Sequence, residues 1–259
     1  MNSKTSNNTI STTPQYISEI RFKGNIETRS YLSNLPIIKF LTKNENLRLN
    51  KNVTFFVGEN GTGKSTLLEA IAVAYGFNPE GGTVNFNFST NATHSDLWKN
   101  LTLVKRGYPK DGFFLRAESL YNVATNIDEL DSIPSYGGKI ISSYGGISLH
   151  NQSHGESFLS IVKNRFGGNG LYILDEPEAA LSPMKLMTLM VRINDLVKDN
   201  SQFIIATHSP ILMTFPDSEI IEFTQNGISR VEYRETEHYR ITKSFLDDPE
   251  RMLSYLLEK

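Results

Sequence analysis

The stretch FFVGENGTGKSTLLEAIA, residues 55–72, limits the fold more than any other part of the chain. Gly58, Gly63, Lys64 and Ser65 fit the pattern G-x-x-x-x-G-K-[ST], and the flanks supply the context that pattern needs. Val53 to Val57 is a short apolar run of the kind that forms a buried strand. Leu67, Leu68, Ile71 and Tyr75 recur at helical spacing after the loop. Strand, glycine loop and helix together make a cradle for phosphate. Successive backbone N–H groups turn inward, the helix presents its positive end, Lys64 reaches the outer phosphates and the Ser65 hydroxyl faces a divalent cation. The cradle residues are Gly58, Glu59, Asn60, Gly61, Thr62, Gly63, Lys64, Ser65 and Thr66. The plainer alternative is a glycine-rich turn ending in a surface lysine.

A chain of 259 residues with 39% hydrophobic content is sized for one large α/β domain spanning residues 16–259, with 80–153 as a β/loop lobe inserted in it. Lysine plus arginine total 26 against 28 aspartate plus glutamate, so no global field attracts nucleic acid. A local cluster of Lys99, Lys105, Arg106 and Lys110 beside Trp98 and Tyr108 reads either as a contact for a nucleic-acid backbone or as a charged strand edge. Cysteine is absent, which removes disulfides and thiolate metal sites from consideration. Residues 1–15 are rich in Ser, Thr and Asn and read as a disordered leader. With no apolar run long enough to span a bilayer, no membrane insertion and a cytoplasmic location are expected.

Along the chain, Tyr16 to Gly24 alternates as a half-exposed antiparallel strand, and Val84, Phe86 and Phe88 alternate as an exposed one. The segments around 101–107 and 112–122 read as a strand pair joined by a turn over 107–112. Residues 121–153 look the least ordered and contain the echo SYGG at 135–138 and 143–146. Thereafter helix 156–166, strand 171–174, helix 183–198 and strand 203–206 alternate, the signature of a parallel sheet covered by helices. Met184, Met187 and Met190 read as a packing face of the second helix. A hairpin turning at Asn226-Gly227 follows, then helices broken at Asp248-Pro249.

The carboxylate pair in LYILDEPEAALSP, residues 171–183, stands at the end of an apolar strand, where an open parallel sheet places its ligands. Asp175 is suited to hold Mg²⁺ and Glu176 to accept a proton from an attacking water. The alternative is an acidic helix cap. One strand later, IIATHSPIL presents His208 as a γ-phosphate sensor or as a satisfied loop histidine. Ser153 and Glu156 at the start of a patterned helix fit a capping box, and the same N-terminus can bind an anion.

With these residues in view, the chain resembles an ATP-binding cassette ATPase. Gly58 to Ser65 is similar to that family's Walker A loop, Ile173 to Glu176 to its Walker B strand, Ala180 to Pro183 to its D-loop and His208 to its switch histidine. Asn151 to Ser157 stands at its signature, with Ser153 and Gly155 matching and His154 and Glu156 departing. The resemblance implies an α/β P-loop NTPase fold with a mostly parallel sheet, helices on both faces and an antiparallel N-terminal β subdomain. It also implies Mg²⁺-dependent ATP hydrolysis and an ATP-dependent head-to-tail homodimer. Each site would use Lys64, Asp175 and Glu176 of one copy and Ser153 and Gly155 of the other, with Glu156 a further candidate binding residue beside them. The family's Mg²⁺-sensing glutamine has no match; Arg116 and Glu118 stand there, and Glu118 is the candidate replacement. Tyr31 and Phe40 are alternatives for stacking on adenine, or core residues.

Within the family, the departures from LSGGQ argue against a transporter subunit, and Lys64 and Ser153 are too close in sequence to flank a long coiled coil. SLHNQSHGESF, LDEPEAALSP and IIATHSPIL are most similar to compact stand-alone ATPases related to recombination, repair and anti-phage heads. The implied function is an ATP-driven switch coupled to nucleic acid or to a separate effector such as a nuclease, which the segment ending at Lys259 does not itself encode. A nucleotide-dependent scaffold with little turnover is the alternative.

Overall fold

The computed structural model describes residues 15–24, 31–44, 46–86, 95–133 and 138–257. Its strands are β1 (Ile17–Phe22), β2 (Asn46–Arg48), β3 (Val53–Gly58), β4 (Leu101–Lys105), β5 (Asp111–Arg116), β6 (Gly170–Asp175), β7 (Gln202–Ala206), β8 (Glu219–Thr224) and β9 (Gly227–Val231). The α-helices are α1 (Pro36–Asn44), α2 (Lys64–Tyr75), α3 (Leu120–Ser132), α4 (His154–Asn164), α5 (Pro183–Lys198), α6 (Glu237–Asp247) and α7 (Pro249–Leu257).

Six strands form one sheet in the order β5-β6-β7-β3-β8-β9, parallel throughout except for β9, which returns antiparallel from the Asn226-Gly227 turn. Every residue of β3, β6 and β7 is buried, because helices cover both faces and leave no position where a polar side chain would be solvated. Alternation within each strand then feeds two packing layers. Phe55, Val57, Tyr172, Leu174, Phe203 and Ile205 face α3, α4 and α5, while Phe56, Ile173, Ile204 and Ala206 face α1, α2 and the smaller sheet. The smaller sheet is antiparallel, β2-β1-β4, and shares the second layer.

One side chain joins the two sheets directly. Gln202 is fully buried at the start of β7; its amide accepts from the Ile17 backbone N–H at 2.9 Å and donates to the Ile17 carbonyl at 2.8 Å. The pair satisfies both backbone groups at Ile17, which is paired with Lys105 of β4 but lies beyond the reach of β2, whose pairing with β1 starts at Glu19.

Several expectations are corrected. β1 is not half exposed: Ile17, Ser18, Glu19 and Ile20 are all buried, since the smaller sheet is covered by α2 and flanked on both edges. β4 and β5 do not pair with each other; β4 pairs with β1 and β5 with β6, so the turn over 107–112 carries the chain from one sheet to the other. Residues 80–153 thereby contribute one strand to each sheet. Val84 and Phe86 form a turn with a single bridge, Gly82 to Phe114, while Phe88 lies outside the described residues. The described residues of 121–133 and 138–153 are more ordered than their composition implies, because α3 buries Val123, Ala124 and Ile127 on one face and Tyr144 is fully buried. The first SYGG copy lies largely outside the described residues, as does the leader apart from Gln15. Met184 and Met187 are exposed, and only Met190 packs on the core. The helix expected at 156–166 starts two residues earlier, at His154. Among the described residues, no helix is long and apolar enough to cross a membrane.

Replacing Gln202 by Leu strands the Ile17 N–H and C=O in the interior. Each such group costs about 1–3 kcal/mol, so urea unfolding is expected to show a loss of about 2–4 kcal/mol without a change in slope.

Candidate functional site

Parallel pairing lines up four strand ends. Phe56 stands opposite Ala206, Ala206 opposite Asp175, and Asp175 opposite Arg116. The residues that follow on β3, β6 and β7 are the glycine loop, Glu176 and Thr207-His208, which brings them to one edge of the sheet.

The loop over 58–63 has a shape that only small residues permit. Gly58 has φ +133°, and a Cβ there would sit 2.1 Å from the Phe223 carbonyl oxygen. Gly63 has φ +93° and caps α2, with Ile37 close enough to exclude a side chain. Thr62 is buried and its hydroxyl donates to the Glu59 carbonyl at 2.8 Å, while Glu59, Asn60 and Gly61 are exposed. Ser65 and Thr66 are half-buried in the first turn of α2. Lys64 is buried, and its ammonium donates to the Gly58 carbonyl at 2.7 Å and the Glu59 carbonyl at 2.8 Å. Burial draws its pKa down, against the attraction of Glu176, Asp175, Glu178 and Glu59. This is a cation wrapped by its own loop and facing an acidic strand end.

Asp175 is 6% exposed. Burial pushes its carboxyl up to about 6, opposed by Arg116 and the Ser65 hydroxyl. Arg116 Nε lies 3.5 Å from Asp175 Oδ2, and the same guanidinium donates to Glu69 at 2.9 Å and pairs with Glu118. Asp175 Oδ1 is buried with no hydrogen-bond partner. A buried carboxylate oxygen left open beside a serine hydroxyl suits an oxygen-seeking cation such as Mg²⁺, which takes few protein ligands and completes its shell with phosphate and water. Among the described residues no cluster of three or more His, Asp or Glu side chains is placed to hold a metal. Glu118 is 71% exposed and tied to Arg116.

Glu176 is held in the left-handed region, φ +46°, a conformation that costs a non-glycine residue roughly 1–3 kcal/mol. Its N–H donates to the Ala206 carbonyl at 3.0 Å, and its Oε1 lies 3.5 Å from His208 Nε2. Two groups outside the sequence-derived site complete the arrangement. Glu178 is half-buried; it accepts from the Thr207 hydroxyl at 2.8 Å and from the His208 backbone N–H, fixing the loop after β7. Burial raises its pKa. His238, from α6, lies with its Nε2 2.9 Å from His208 Nδ1. Nothing in the sequence pointed to His238, thirty positions from His208.

Ser153, Gly155 and Glu156 form a separate group at the start of α4. The Glu156 carboxylate accepts from the Ser153 N–H at 2.9 Å and from its hydroxyl at 2.5 Å, and these bonds lower its pKa. Ser153, His154 and Glu156 are exposed. Gly155 is buried against the Ala180 carbonyl, which a Cβ would approach to 2.8 Å, so the helix start is keyed to the segment after Glu178.

Two family models match on either side of this site. Residues 28–107 match one described as "AAA domain", and residues 156–214 match one described as "AAA domain, putative AbiEii toxin, Type IV TA system". The first match contains Lys64 and the second contains Asp175, Glu176 and His208. Among curated proteins, the chain is similar to the "Retron Vc95 probable ATPase" of Vibrio cholerae serotype O1 biovar El Tor. The two are 27% identical over 134 residues, covering 45% of this chain and 25% of that one. The chain thus aligns with about a quarter of the curated relative's length. Similar solved structures include cbiO1 from Clostridium perfringens, part of the ABC transporter complex cbiONQ, at 16% identity and a TM-score of 0.49, covering 95% of this chain and 100% of that one. Another is the dimeric structure of MJ0796, a bacterial ABC transporter cassette, at 19% identity and a TM-score of 0.43, covering 74% and 90%.

Asp175 also sets a pH dependence in the nucleotide-free protein. Its carboxyl ionises at about 6 when folded against an ordinary 3.8, so the native state holds the proton more tightly. Charging it therefore costs stability as pH rises through that interval, fully so above about pH 7 and not at all below about pH 3. Asp175→Asn removes the cost, and thermal or urea unfolding at pH 8 is expected to show a gain on the order of 2–3 kcal/mol that shrinks towards zero in acid.

Proposed function

Taking the two AAA-type ATPase matches that bracket one site as the premise, we propose that this chain binds ATP and hydrolyses it as the switch of a larger assembly. The carrying observation is the convergence of Lys64, Asp175, Glu176 and His208 on the ends of three neighbouring strands. Phosphate oxygens replace the Gly58 and Glu59 carbonyls as acceptors of the Lys64 ammonium, while the loop N–H groups and the N-terminus of α2 stabilise the remaining charge. The Ser65 hydroxyl and Asp175, with Glu118 towards the water side, would hold Mg²⁺, which would supply neutralisation of phosphate charge. Glu176 accepts the proton of the attacking water. His208 Nε2–H, on the same side as Glu176, donates to a γ-phosphate oxygen.

A second copy completes the site. Ser153 and the first N–H groups of its α4, at an exposed helix start packed through the buried Gly155, form an anion-binding turn, which reads the γ-phosphate held by the first copy. ATP closes this head-to-tail dimer because only the triphosphate bridges both copies, and hydrolysis removes the bridge. A partner protein or nucleic acid reads the difference. The likeness to a retron ATPase supports the ATPase reading.

Two variants test the reading together. Glu176→Gln is expected to lose about 10²–10⁴-fold in turnover while still binding ATP, and to run as a dimer in Mg·ATP by light scattering. Lys64→Ala is expected to lose ATP binding and remain monomeric. Equal hydrolysis by wild type and Glu176→Gln overturns the catalytic assignment.

A further inference from the structure

His238 reaches the site from outside the central sheet. It sits in the first turn of α6, whose start is anchored by the fully buried Thr236, where the hydroxyl accepts from the Tyr239 N–H at 3.3 Å, and by the Tyr233 ring stacked at a tilt on Tyr239, centroids 4.7 Å apart. The two imidazoles, His208 and His238, meet edge to edge through Nδ1 and Nε2 at 2.9 Å, with ring planes inclined by 57°. The outer nitrogens, His208 Nε2 and His238 Nδ1, are both buried without hydrogen-bond partners.

One proton lies between two neutral rings, and its position decides what His208 can do. If His208 Nδ1 donated, its Nε2 lone pair would face the Glu176 carboxylate at 3.5 Å, and His238 would carry a buried N–H with no acceptor. If His238 Nε2 donates, His208 carries its proton on Nε2 facing Glu176, and the one group left over is a buried acceptor. The second arrangement removes both faults, since orphaned buried donors are the rarer defect. We propose that His238 is a positioning residue that donates its Nε2–H to His208 Nδ1 and so fixes the tautomer and ring orientation in which His208 Nε2–H points into the site.

Burial and the nearby Lys64 hold both imidazoles below the usual histidine range, which keeps the pair neutral. The His208 backbone N–H is held by Glu178, so main chain and ring are fixed from opposite sides. The role rests on the reading of His208 as a γ-phosphate donor, and it makes the α6 helix part of the hydrolytic site.

The test uses the full chain with ¹⁵N-labelled histidine. Two-bond ¹H–¹⁵N correlations in the nucleotide-free wild type are expected to show His208 protonated on Nε2 alone, and His238→Leu to show mixed tautomers. His238→Gln, whose amide nitrogen can still donate, is expected to restore the single tautomer. In steady-state hydrolysis, His238→Leu should lose about 10–100-fold in kcat with KM for ATP within about twofold, and Gln should recover most of it. Adding His238→Leu to His208→Ala should cost nothing further. A proton on His208 Nδ1 in the wild type, or equal losses for Leu and Gln, overturns the proposal. Equal turnover by wild type and Glu176→Gln instead overturns the reading of the site as hydrolytic, and the tautomer spectra still judge His238.

Discussion

Register between parallel strands is the constraint on which the site depends. Parallel pairing aligns Phe56, Ala206, Asp175 and Arg116 in one row, so the charged residues that follow or end those strands emerge together at one sheet edge. A slip of one residue would turn Asp175 to the other face and bury a carboxylate among the α3–α5 side chains. The apolar alternation that fills two layers around the sheet is therefore also what holds the chemistry in register.

That edge concentrates charge where water is scarce. Lys64, Asp175 and Glu178 all carry burial penalties, and in the nucleotide-free chain each is answered by a local substitute: loop carbonyls for Lys64, Arg116 for Asp175, the Thr207 hydroxyl and His208 N–H for Glu178. Under the proposed function, phosphate would replace the loop carbonyls on Lys64, and a cation would meet the Asp175 Oδ1 that Arg116 leaves open. Ligand entry would then exchange one set of partners for another and avoid the cost of leaving bare charges buried in a closed interior.

The strand, loop and helix around Lys64 were legible because each obeys a local rule: an apolar run, glycines where positive φ is needed, and helical spacing after them. Asp175, Glu176 and His208 were legible for a similar reason, each standing at or just past the end of an apolar strand. What misled was pairing. β4 and β5 look like neighbours because a turn joins them, yet each gains more by adding to a different sheet, and the buried face of β1 is invisible when alternation is read as exposure. Met184 and Met187 misled in the opposite sense, since helical spacing fixes a face without fixing what it faces.

Sequence by itself determined the glycine loop between β3 and α2, the acidic strand end and the alternation of strands with helices, all of which arise from chemistry between residues a few positions apart. Tertiary structure alone decided that Gln202 ties β7 to Ile17, that Arg116 neutralises Asp175, and that His238 of α6 meets His208 across the site. Those contacts join residues between 30 and 185 positions apart. Their partners are chosen by which strand ends and helix starts the packed core brings within hydrogen-bond reach, and no local pattern encodes that choice.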